Sequence, residues 1–198
     1  RNTTWTFSRD VDLKFTFVGV NYYDGQGFMV PKELGVASAK DLDGATVCIQ
    51  TGTTTELNLA DFFRVNNISY EPVPIETNAE AQQQYLAGAC DVYTTDASGL
   101  AATRATFEDP SAHVLLPEII SKEPLGPLVR HGDDQWGDIV RWTLNALVTA
   151  EELGVTSANI KEMGAAAGNN PEINRLLGTE GNLGEQLGLS ADWAMQAI

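Results

Sequence analysis

Three short polar segments hold the residues from which a binding or catalytic site is most readily built. The first is Thr51-Gly52-Thr53-Thr54-Thr55-Glu56, directly after the apolar run Ala45–Gln50. Gly52 permits a tight turn. The Thr hydroxyls, with the free N–H groups of a following helix, make an anion site suited to a carboxylate. It is not a phosphate loop, because no Lys follows. The same residues also read as a plain helix cap, Thr53 with Glu56 three positions on. The second segment is Thr94-Thr95-Asp96. Asp96 either accepts hydrogen bonds from an ammonium group or caps the next helix, and one carboxylate has acceptor sites for both. The third is Arg1-Asn2-Thr3-Thr4-Trp5-Thr6-Phe7-Ser8-Arg9, polar and without Gly or Pro. Arg9 can form a bidentate pair with a carboxylate, and by itself is equally an ordinary surface arginine.

Signals for other chemistry are thin. There is no GxSxG, no Cys/His pair at suggestive spacing and no carboxylate pair placed for acid–base work. No enzyme activity, metal or cofactor is expected. His113 and His131 have no carboxylate pattern around them, and Cys48 and Cys90 form no CxxC pair. An even cysteine count fits an oxidising compartment, but two are too few to imply a disulfide framework. If Thr51 and Asp96 end parallel neighbouring strands, Cys90 sits about two to three residues out of register with Cys48, or ~7–10 Å. A disulfide needs Cα atoms within ~7 Å, so the spacing favours free thiols.

The elements that must position these residues alternate. Ala45–Gln50, Tyr70–Ile75 and Asp91–Thr95 read as strands, with Thr53–Val65, Asn78–Leu86 and Ala97–Thr106 as the helices after them. Strands that alternate with helices imply parallel pairing in an α/β sheet. Pro72 demotes Tyr70–Ile75 toward a sheet edge. Open parallel sheets bind ligands beyond the carboxyl ends of their strands, which is where the first two polar segments fall. Val114–Leu116, Leu125–Val129, Lys14–Val20 and Gly27–Val30 are further strands. From Asp133 onward the chain reads as helical, with an apolar stripe from Trp136 to Val148 and an acidic start that suits the helix dipole. The resulting division is 1–30, the end of one lobe and a first crossing strand; 31–127, a complete α/β lobe; and 128–198, a return strand and helical remainder of the first lobe. The apolar faces of the flanks (Phe15, Phe17, Trp136, Val140, Leu144, Leu147) call for a cover.

Composition narrows the partners. In 198 residues the chain carries 27 Asp+Glu against 12 Lys+Arg, a net charge of -15. That argues against nucleic acid, which demands a basic face, and against an anionic membrane surface. No apolar run approaches the ~20 residues of a membrane helix.

Taken together, the motifs resemble those of one family. They are Arg1–Arg9; Tyr22-Tyr23-Asp24-Gly25-Gln26-Gly27-Phe28-Met29-Val30; Leu42-Asp43-Gly44-Ala45-Thr46-Val47-Cys48; Gly52-Thr53-Thr54-Thr55-Glu56-Leu57; Cys90-Asp91-Val92-Tyr93-Thr94-Thr95-Asp96; and Lys122-Glu123-Pro124-Leu125-Gly126-Pro127. In this order and spacing the chain resembles periplasmic solute-binding proteins of polar amino-acid ABC importers, above all the general L-amino-acid-binding proteins. The resemblance implies a two-lobed, type II-like α/β fold: one complete parallel or mixed-sheet lobe plus the C-terminal part of the other, with the N-terminal half-lobe missing. It implies Arg9, assisted by Asn2 and Thr4, and the turn residues Thr53 and Thr54 for a ligand's α-carboxylate, and Asp96 for its α-ammonium. Its partners would be an L-amino acid, the permease subunits of an ABC importer, and an N-terminal fragment or second copy that completes the first lobe. Its location would be periplasmic. The competing readings are an amino-acid sensor or receptor domain and a dehydratase-like enzyme on the same scaffold.

Overall fold

A computed structural model describes residues 3–166, 168 and 170–198. In chain order the strands and helices are β1 (Thr3–Thr4), β2 (Phe15–Phe17), β3 (Tyr22–Asp24), β4 (Gln26–Pro31), β5 (Ala45–Gln50), α1 (Thr54–Asn66), β6 (Tyr70–Ile75), α2 (Asn78–Leu86), β7 (Val92–Asp96), α3 (Ala97–Ala105), β8 (His113–Leu115), β9 (Glu123–Gly126), β10 (Leu128–Arg130), α4 (Asp134–Glu152), α5 (Ile160–Ala166), α6 (Pro171–Leu176), α7 (Leu183–Gln186) and α8 (Trp193–Ala197). They form two compact units. Unit 2 is Tyr22–Pro124, and unit 1 is built from both flanks, Arg1–Asn21 and Leu125–Ile198.

Unit 2 is a five-stranded mixed sheet of order β6-β5-β7-β4-β8. β5 runs parallel to both β6 and β7, as the alternation of strands and helices predicts, and the Pro-bearing β6 is an edge strand. Period-two alternation sorts the side chains between two cores. Phe28, Val30, Val47, Ile49 and Val92 face α1 through Leu59 and Phe63. Met29, Cys48 and Tyr93 face Ala81 and Tyr85 of α2 and Leu100 of α3. α1 stops where Asn67 takes a left-handed conformation, φ 55°, a role Asn tolerates well.

Two strand expectations need correction. Gly27–Val30 was expected among the crossing strands. It lies inside this sheet as part of β4, antiparallel to β7 and β8. Its residues are wholly apolar and buried, as suits a strand with a core on each face. Leu125–Val129 is interrupted. Pro127 has no N–H to donate, so β9 ends before it and β10 begins after it.

The thiol expectation is also overturned: Cys48 and Cys90 form a disulfide, with Cα atoms 5.6 Å apart. The strand register is as the sequence implies, Cys48 opposite Tyr93. The error lies in counting Cys90 as an extension of β7. It belongs to the connection from α2, which enters β7 from that helix's side of the sheet. That is the face onto which the Cys48 side chain points, in the same core as Tyr85 and Ala81.

In unit 1, β1 pairs antiparallel with β9 and β2 with β10. Ser8–Asp12 forms a π-type helical turn that the sequence did not announce. Asp133 caps α4, accepting from the Trp136 N–H at 3.1 Å. Ala150, Val155, Ile160, Ile173 and Leu177 make the helical core. Of the flank residues expected to need a cover, Phe17 finds one within the chain. It is buried, with Trp5 stacked on it at 5.1 Å. Trp136 and Leu147 stay exposed, at 53% and 42%.

Candidate functional site

β5 and β7 are parallel neighbours, so the polar segments that follow them leave the sheet at the same end. Gln26, the first residue of β4, is paired with Asp96 there. Unit 2 thus brings Thr53, Thr54 and Asp96 to one sheet end.

The start of α1 is not the plain cap that the sequence also allows. Thr53 occupies the N-cap position without a capping bond. Its Oγ1 instead donates to the Gln50 carbonyl at 2.7 Å. Glu56 reaches back, and its Oε2 accepts from the Gly52 N–H at 2.9 Å. The half of the capping box that would cover the helix N–H groups is therefore absent. Thr54 Oγ1 lies 3.4 Å from the Glu123 carboxylate.

Asp96 takes the N-cap position of α3, again without a side-chain capping bond. Asp24 covers that helix start in its place. Its Oδ1 accepts from the Ser98 N–H at 3.3 Å, and its Oδ2 from the Ser98 hydroxyl. The capping role that the sequence allowed Asp96 is thus taken by Asp24. Below it, burial and then the Asp96 charge push the Tyr93 phenol up to about 12.

Two residues of this end were not predicted. Gln26 is fully buried, and its Nε2 donates to the Thr55 carbonyl at 3.1 Å and to Thr94 Oγ1 at 3.0 Å. Those bonds fix the amide's orientation and leave Oε1 without a hydrogen-bond partner among the described residues. The second is Glu123, 3% exposed. The alternation Gln26-Phe28-Val30 does point Gln26 inward, so its burial was readable. Glu123, between Lys122 and Pro124, carried no such signal.

In unit 1, Arg9 sits in the Ser8–Asp12 turn and its Nη1 donates to the Thr4 carbonyl at 2.9 Å. Thr4 is buried in β1. Asn2 lies outside the described residues. Asp10 anchors the turn, accepting from Trp5 Nε1 at 2.7 Å. A cavity of about 530 Å³ lies elsewhere, lined by Pro31, Lys32, Tyr85 and His113. It is at the opposite end of β4 from Gln26, away from the polar strand ends. Among the described residues no cluster of His, Cys, Asp and Glu could hold a metal ion, and no helix is long and apolar enough to cross a membrane.

The fold is that of periplasmic binding proteins, and over its whole length the chain is similar to amino-acid-binding proteins of ABC transporters. It is 66% identical over 198 residues to the glutamate/glutamine/aspartate/asparagine-binding protein BztA of Rhodobacter capsulatus. It is 58% identical over 200 residues to the general L-amino acid-binding periplasmic protein AapJ of Rhizobium johnstonii. The match covers 100% of this chain and 58% of the length of each relative. Among solved structures, an ABC transporter periplasmic binding protein from Brucella ovis with glutathione bound is similar with a TM-score of 0.90 and 53% identity, over 100% of this chain and 62% of that one. These relatives are named as binding proteins, not enzymes. No protein-family model matches the chain.

Proposed function

We propose that the protein is the extracytoplasmic substrate-binding component of an ABC importer, which captures L-amino acids and hands them to the membrane permease. The observation that carries the reading is the uncapped start of α1 beside Asp96, in a chain 66% identical to an amino-acid-binding protein. N–H groups at a helix start attract a carboxylate, and Asp96 supplies the opposite charge for an ammonium. Arg9 adds a bidentate donor for the carboxylate. Asn2 and Thr4 assist it, and Thr53 and Thr54 complete the turn. These contacts recognise the zwitterion common to all α-amino acids and leave the side chain to the rest of the site.

BztA's name points to acidic and amide side chains, and AapJ's to a broad range. Glutathione, bound by the Brucella ovis protein, presents a free α-ammonium and α-carboxylate on its γ-glutamyl end, which suits the same recognition. The disulfide supports an oxidising location such as the periplasm. The exposed Trp136 and Leu147 support a covering partner, a further segment of the first lobe or a second copy. The reading makes the protein a binder rather than an enzyme.

Calorimetry on the full-length protein tests it. L-glutamate, L-glutamine, L-aspartate and L-asparagine should bind, sugars should not, and Asp96→Asn should impair binding. Absence of heat with all four amino acids overturns the proposal.

A further inference from the structure

We infer that Glu123 is a positioning residue whose buried charge sets how tightly the Thr53–Thr54 turn holds a carboxylate. The inference rests on the amino-acid reading above. Glu123 Oε1 accepts from Asn58 Nδ2 at 2.8 Å and from Ser121 Oγ at 2.5 Å, and Oε2 lies 3.4 Å from Thr54 Oγ1. Ser121 Oγ in turn accepts from the Gln26 N–H at 3.0 Å, which ties the carboxylate to β4. All these donors are neutral, and among the described residues Glu123 forms no ion pair.

Thr54 and Asn58 stand four residues apart on α1, so they share one face of the helix. Glu123 therefore lies along the first turn of the helix whose terminal N–H groups Thr53 leaves uncapped. A helix N-terminus carries roughly half a positive charge. A carboxylate on its flank draws on the same field as an anion at its tip, and the two anions repel each other. A unit charge about 6 Å away, at an effective dielectric of about 40, alters affinity by about tenfold. The consequence is a carboxylate held loosely enough to be released, and a site end that disfavours a second negative group.

The test separates the charge from the scaffold. Glu123→Gln preserves the network: its Oε1 can take the Asn58 and Ser121 bonds while its Nε2 donates to Thr54 Oγ1. Calorimetry on the full-length protein compares L-glutamine with its α-amide, L-glutaminamide, whose carboxylate charge is removed. The expected result is about tenfold tighter L-glutamine binding in Glu123→Gln, an unchanged affinity for L-glutaminamide, and a wild-type melting temperature. Glu123→Ala, which cuts the anchors, should melt lower. An unchanged L-glutamine affinity in Glu123→Gln, with Asp96→Asn still impaired, overturns the role of Glu123 and leaves the amino-acid reading standing. An equal gain for both ligands overturns it too. If neither substitution affects binding, the roles of Glu123 and Asp96 both fall, whereas absence of heat from the unsubstituted protein with all four amino acids overturns the amino-acid reading itself.

Discussion

Reduction of the Cys48–Cys90 disulfide is expected to destabilise unit 2 well beyond the effect of an ordinary point substitution. The bond joins residues 42 apart in sequence. In the chain-entropy model, releasing a loop of that length restores about 13 cal/mol/K to the unfolded chain, or about 4 kcal/mol at 25 °C. Both sulfurs lie in a core whose members are almost wholly buried, so reduction also leaves two thiols packed at disulfide spacing. For a unit of this size about 4 kcal/mol corresponds to a fall in melting temperature of at least about 15 °C. The assay is urea denaturation of the oxidised protein, the reduced protein and a Cys48→Ala/Cys90→Ala double variant, followed by circular dichroism. Thiol titration in denaturant accompanies it and should find no reactive thiol before reduction. A midpoint unmoved by reductant, or two thiols titrating at once, would refute the pairing and restore the free-thiol expectation.

Further outcomes follow from single residues. Arg9→Ala should weaken L-amino-acid binding by about thirtyfold or more, the effect of truncating one partner of a buried charge pair at about 2–5 kcal/mol, as read by calorimetry. Asp91 Oδ2 accepts from both the N–H and the hydroxyl of Thr46, so Asp91→Ala should cost about 1.5–3 kcal/mol in urea denaturation. A Cβ on Gly126 would meet the Gly19 carbonyl at 2.0 Å, and Gly126→Ala should lower the melting temperature sharply or abolish soluble expression. Burial holds the His113 pKa below its usual 6.5, against the opposing pull of Asp109. A depressed folded-state pKa means stability present above about 6.5 and lost as pH falls through the lower, folded value. His113→Gln should flatten that acid-side loss.

The parallel strands were legible because Ala45–Gln50, Tyr70–Ile75 and Asp91–Thr95 are each followed by a helix-period segment, and alternation of that kind admits few topologies. The polar strand ends were legible for the same reason. What the sequence hid was three-dimensional. Gly27–Val30 carries no mark of whether it crosses between units or pairs within one. Asp24 takes over capping of α3 from a distance of many residues, which no local motif encodes. Cys90 approaches Cys48 from the helix layer, so counting along the strand misjudged the separation. Arg9 reads as any surface arginine without the family resemblance that implies a role for it, and the turn that holds it has no periodic signature.

The division of unit 1 into two flanks has a consequence for the order in which the protein assembles. Its strand β2 must find β10, and Phe17 lies opposite Leu128. Between them stands the whole of unit 2, whose own sheet closes entirely within Tyr22–Pro124. Bringing the flanks together across a slack chain of that length would cost about 4 kcal/mol of loop-closure entropy, by (3/2)RT ln n. Once the inserted sheet has formed, the intervening chain is no longer slack, and most of that search is over before it begins. In synthesis from the N-terminus, the whole of the inserted unit is made while the second flank is still to come. It then serves as an internal template that delivers β10 to β2. A lesion in its core, such as loss of the Cys48–Cys90 bond, should therefore slow the maturation of a unit that contains neither cysteine.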